Sequence, residues 1–234
     1  MSTTLTHSLT ARHGVTLCCG QLGIVMEFMS DGSLWDQLHG VLGDDDVELS
    51  LQHKLTIGEQ ISSALKFVHE AGSAHRDIKP HNVLLRGMST VSPFSVCAKL
   101  CDLGFVKHRN QALSTTGSAG GGGVFVGTPA YAAPEVFAKA VVDTDIASWM
   151  ACDVYSFAVV LWEMHVGLEP FFGDSPAAIE AAVTSGRRPA DTPGCAMTDP
   201  TPAAVRDAVT RAWAQRPRER CTAAELCALL AGVV

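Results

Sequence analysis

The chain has 234 residues, a formal net charge of −7, 47% apolar residues and 18% charged residues. Such a composition excludes an intrinsically disordered chain, and its acidity argues against sequence-blind binding to nucleic acid. The length allows one large domain or two small ones around a sizeable core.

The opening residues, MSTTLTHSLTARHG, hold no apolar core of the secretory kind. None of the eight cysteines forms a CxxC pair. The thiols are therefore expected to be reduced and the location cytoplasmic. LGIVMEFM (22–29) reads as a buried strand. SDGS (30–33) breaks it, and Ser33 can cap a short helix running to about Gln37. GDDDVE (43–48) is an acidic loop. Residues 51–72 place Leu55, Ile61, Leu65 and Val68 on one face, with Gly72 as a stop, which predicts a long amphipathic helix. NVLL (82–85) and VCAKLC (96–101) are strand-like, and the glycine-rich run 114–123 reads as a loop. Helices are predicted over 151–165, 176–185, 202–214 and 222–232. VYSFAVVLW, bounded by Asp153 and Glu163, is too short to cross a bilayer and reads as a buried helix. A small β-rich start is thus followed by a large helical body.

HRDIKPHN (75–82) carries the chemistry. Moving a phosphoryl group to a hydroxyl needs little covalent help. The hydroxyl must be oriented, and developing negative charge must meet metal and cations. Asp77 can take the hydroxyl proton, Lys79 can reach the transferred phosphate, and the Asn82 amide oxygen can hold Mg²⁺. A second carboxylate must hold the metal from another loop, and Asp102 in CDLG (101–104) offers it directly after a predicted strand. His75, Asp77 and His81 could also be read as metal ligands, but nothing pairs with them at zinc spacing.

With these residues in order, the chain resembles a eukaryotic-type protein kinase from about residue 13 to the end. His75, Arg76, Asp77, Lys79 and Asn82 resemble the catalytic loop, and Asp102-Leu103-Gly104 the metal-binding DFG with Leu for Phe. GTPAYAAPE (127–135) resembles the end of the activation segment. DVYSFAVVLWEM (153–164) resembles the helix that braces the catalytic loop through Asp153. RPRERCTAAEL (216–226) resembles the last segment, where Arg220 would pair with Glu135. IVMEFMSDGSL (24–34) resembles the hinge that meets adenine.

The resemblance implies an α+β, protein-kinase-like fold, mostly the helical C-lobe (30–234) with a two-strand remnant of the N-lobe (1–29). It implies ATP and Mg²⁺ as cofactors and protein substrates as partners, with no nucleic acid and no membrane segment. Asp77, Lys79 and Asn82 would be catalytic. Asn82 and Asp102 would hold metal. Met26, Glu27, Met29 and Leu84 would meet the nucleotide, Glu27 and Met29 through their backbone. Lys79 and Thr128 resemble the serine/threonine-specific branch, and DVYSFAVVLWEM leans towards its tyrosine-kinase-like subgroup. Arg76 would pair with a phosphate among Ser114, Thr115, Thr116 and Ser118.

The family's Gly-rich loop, strand lysine and helix glutamate precede the hinge. Residues 1–26 hold no lysine, aspartate or glutamate. The expectation is an N-terminally truncated kinase domain, impaired as a catalyst because preorganised charges are missing. The alternative is a catalytically dead, kinase-shaped scaffold.

Overall fold

A computed structural model describes residues 9–10, 12–18, 21–40, 49–88, 95–102, 107–108, 128–138 and 145–233. The chain opens with an antiparallel hairpin of β1 (Arg12–Cys18) and β2 (Gln21–Met26). The predicted buried strand ends at Met26, three residues early, and is open to solvent there, with Val25 43% and Met26 42% exposed. Residues 27–29 lie outside the ladder.

Ser33 then caps the six-residue α1 (Leu34–His39). Its Oγ accepts the Asp36 N–H at 3.2 Å, while Asp36 Oδ2 accepts the Ser33 N–H at 2.8 Å. The Ser33 hydroxyl, which donates to Asp36 Oδ2 at 2.7 Å, and then the Ser33 N–H hold the Asp36 carboxyl below its ordinary pKa. Ser50 starts the 20-residue α2 (Leu51–Glu70) in the same way. The predicted acidic loop at 43–48 lies outside the described residues, as does the glycine-rich run at 114–123.

Two short pairings frame the loop that follows α2. β3 (Ser73–Ala74) pairs with β6 (Lys107–His108), and β4 (Val83–Arg86) pairs with β5 (Cys97–Leu100), all antiparallel. The short α3 (Pro134–Phe137) follows a 3-10 turn at Pro129–Tyr131.

Central to the body is α4 (Ile146–Val166), with Val154, Tyr155, Phe157, Ala158, Val159, Val160, Leu161 and Trp162 all buried. A helix apolar all round must be enclosed on all sides, and α2 and α6 pack against it. At 21 residues it is long and apolar enough to span a bilayer. Its buried Asp153 and Glu163 are instead hydrogen-bonded within the core. The helix starts five residues before the predicted 151, because Asp145 caps it by accepting the Ala147 N–H at 3.1 Å. Gly167 ends it in the left-handed region at φ 77°, donating its N–H to Glu163 O at 2.7 Å. α2 comes close to α4 at Gly58, where an added Cβ would stand 3.1 Å from Leu161 Cδ2. α5 (Pro176–Thr184), α6 (Ala203–Ala212) and α7 (Ala223–Ala231) complete the body, with α7 against α2 and α6. The result is an α+β, kinase-like arrangement of small ladders on a helical body.

Candidate active site

The loop between β3 and β4 is held from beneath by one buried carboxylate. Asp153 of α4 is 1% exposed. Its Oδ2 accepts the His75 N–H at 2.7 Å, and its Oδ1 accepts the Arg76 N–H at 2.7 Å. His69 Nε2 adds a third contact to Oδ2 at 3.0 Å. The arrangement supports Arg76 in the left-handed region, at φ 73°, where a residue with a side chain is uncommon. The expected bracing through Asp153 is therefore present. His75 is fully buried, and its Nε2 meets Cys101 O at 2.9 Å. His81 stacks on Trp35 of α1, with ring centroids 4.4 Å apart.

At the tip of the loop, three side chains converge. Lys79 Nζ lies 2.8 Å from Asp77 Oδ2. Asn82 Nδ2 donates to the same oxygen at 2.8 Å and to Asp77 O at 2.7 Å. A 3-10 turn at Pro80–Asn82 makes this possible, since it folds Asn82 back over Asp77 before β4 begins. With both amide hydrogens given to Asp77, Asn82 Oδ1 accepts no hydrogen bond among the described residues. An amide oxygen and a carboxylate are the hard donors that suit Mg²⁺.

The second strand delivers the other carboxylate. Cys101 donates its N–H to Asn82 O at 2.9 Å, so the residue before Asp102 is tied to the loop. Asp102 is exposed and sits in the left-handed region at φ 58°. Burial, then the carboxylates of Asp102 and Asp77, push the Cys101 thiol up to about 11. That shift makes Cys101 a poor nucleophile despite its partial exposure. The DFG-like residues 103 and 104 lie outside the described residues.

Met26 is 42% exposed at the end of β2, whereas Met29 is 6% exposed. Glu27 gives its carboxylate to Lys99. Leu84 lies half-buried on β4, opposite Lys99 on β5. Behind this segment, the Asp31 N–H donates to Leu85 O at 3.0 Å and the Leu85 N–H to Gly32 O at 2.9 Å. The chain after residue 29 is thereby fastened to the strand that follows the catalytic-type loop.

Two further features lock the body to the segment around Thr128. Arg220 clasps Glu135, as the sequence suggested. Tyr131 donates its hydroxyl to Glu163 Oε2 at 2.8 Å, and His39 Nε2 lies 2.8 Å from Oε1. Burial raises Glu163 to about 8 and lowers His39, so both groups lean towards their neutral forms. The sequence flagged neither His39 nor this triad, since nothing local links residues 39, 131 and 163. The proposed phosphate partners of Arg76 fall outside the described residues. In this structure the guanidinium lies 4.2 Å from the centroid of the Trp149 ring.

Comparison with known proteins agrees with this geometry. The protein kinase domain family model matches residues 13–229. A mimivirus protein named serine/threonine-protein kinase/receptor R826 is 36% identical over 160 residues, covering 68% of this chain and 8% of its own length. A LIM domain-containing serine/threonine-protein kinase of Dictyostelium discoideum is 30% identical over 203 residues, covering 87% of this chain and 27% of its own. Mitogen-activated protein kinase kinase kinase 7 of Drosophila melanogaster is 28% identical over 217 residues, covering 91% of this chain and 28% of its own. The chain thus spans less than a third of each of these relatives. It belongs to the eukaryotic-type protein kinase family, among the serine/threonine kinases.

Proposed function

We propose that the chain transfers the γ-phosphate of ATP to serine or threonine hydroxyls of protein substrates. The observation that carries this reading is the convergence of Lys79 and Asn82 on one oxygen of Asp77. Asp77 accepts the proton of the substrate hydroxyl. Lys79 balances that carboxylate and reaches the transferred phosphoryl group. Asn82 Oδ1 and the Asp102 carboxylate hold Mg²⁺. Bound Mg-ATP supplies the phosphoryl group and the charge that draws it into line. Glu27, Met29 and Leu84 line the adenine side, with Met26 at its back. The 153–164 helix supports placement in the tyrosine-kinase-like subgroup.

A kinase-shaped binding module is the second reading. Transfer of labelled γ-phosphate to a generic basic protein tests the first reading. Asp77→Asn is expected to lower the rate by about 10²–10⁴-fold, the usual contribution of a positioned general base. Equal labelling by wild type and Asp77→Asn would exclude catalysis at this site.

A further inference from the structure

We propose that Lys99 is a positioning residue. Through Glu27 it sets the hinge against the strand that leads into Asp102, and so shapes the adenine edge of the nucleotide site. This inference rests on the kinase reading above.

Lys99 Nζ lies 2.6 Å from Glu27 Oε1 and 2.8 Å from Oε2. The two side chains are 7% and 14% exposed. A buried pair of this kind adds little net stability, because desolvation offsets the attraction, yet it discriminates strongly between arrangements that keep it and those that break it.

Its location gives that discrimination a target. In the segment after β2, Phe28 is 82% exposed and Met29 6% exposed. With Glu27 turned inward, the residues alternate as in a strand. The hinge is therefore pinned by two inward side chains, one ionic and one apolar. The peptide groups of Phe28 and Met29 make no hydrogen bond among the described residues. Side chains, and not a backbone ladder, fix how those peptide groups are presented. On the other side, Lys99 is the direct cross-strand partner of Leu84, and directly opposed residues share one face of a ladder. Leu84 also bridges to Ser33. Three residues beyond Lys99 the chain reaches Asp102. A single ion pair thus joins the adenine side of the cleft to its metal side.

Calorimetric titration of the 234-residue chain with Mg-ADP, and separately with adenosine, tests the assignment. Lys99→Met is expected to weaken both ligands by at least about tenfold, with Lys99→Arg recovering part of the loss. The double variant Glu27→Met/Lys99→Met removes both charges, so it is expected to melt near the wild type while still binding both ligands weakly. Wild-type affinity in the double variant would overturn the proposal. So would a loss confined to Mg-ADP, since that would make Lys99 a direct phosphate ligand. If the wild type bound neither ligand, the kinase reading would fall first and take this inference with it.

Discussion

Arg220 grips Glu135 with two hydrogen bonds, from Nη1 at 2.6 Å and from Nη2 at 2.8 Å, although 85 residues separate them. The side chains are 1% and 9% exposed, so neither charge has water to fall back on. Arg220 also donates to Ala151 O and Ala214 O, joining α3, α4 and the turn before α7. Arg220→Ala would leave Glu135 as an uncompensated buried charge, at a cost of about 3–5 kcal/mol. A thermal melt followed by circular dichroism should show a clear drop in midpoint. An unchanged midpoint would mean the clasp does not contribute to the folded state.

Among the described residues, Asp153 is the one acceptor for two consecutive backbone donors, His75 and Arg76. Asp153→Ala would orphan both, at about 1–3 kcal/mol for each buried group. The effect should be local. Amide exchange at His75 and Arg76 is expected to accelerate far more than exchange in the middle of α2. Uniform acceleration throughout the body would show that Asp153 supports the whole core and not this loop in particular.

The buried Glu163 and the half-buried His165 make stability depend on pH in opposite directions. Desolvation raises Glu163 from 4.5 to about 8, so the folded state binds its proton more tightly than the unfolded state. Stability from this group is full below 4.5 and falls as pH rises towards 8. Desolvation lowers His165 from 6.5 to about 4, aided by Lys54. Stability from this group is full above 6.5 and falls as pH drops towards 4. Each limb has a slope of up to about 1.4 kcal/mol per pH unit. Glu163→Gln keeps an acceptor for Tyr131 and should flatten the alkaline limb alone. His165→Gln should flatten the acid limb alone. Urea melts across pH 4–8 measure both, and an alkaline limb unchanged in Glu163→Gln would remove Glu163 as its cause.

Cys101 should resist alkylation. With its thiol pushed up to about 11, the thiolate fraction at pH 8 is about one in a thousand. Iodoacetamide followed by peptide mass spectrometry should find Cys101 slow in the folded protein and fast in urea. Asp102→Asn removes one of the carboxylates that raise it and should quicken the reaction. No change on that substitution would place Asp102 too far away to act on the thiol.

Much of this architecture could be read directly from residue order. The catalytic-type loop and the apolar α4 depend on spacings and residue types that tolerate few alternatives, whereas the Arg220–Glu135 pairing was expected only from the resemblance to the kinase family. Ser33, Ser50 and Thr222 are polar side chains placed to cap helices, and capping is a local interaction within four residues. Helix limits were less legible. α4 begins at the Asp145 cap, five residues before the predicted start. What only the tertiary structure decided is how distant polar groups share buried space: His39 and Tyr131 on Glu163, Lys99 on Glu27, Arg76 on Trp149. Spacing along a chain encodes periodicity and caps because those forces act between near neighbours. The partner of a buried charge is set by which element packs against it, and that is a property of the assembled core.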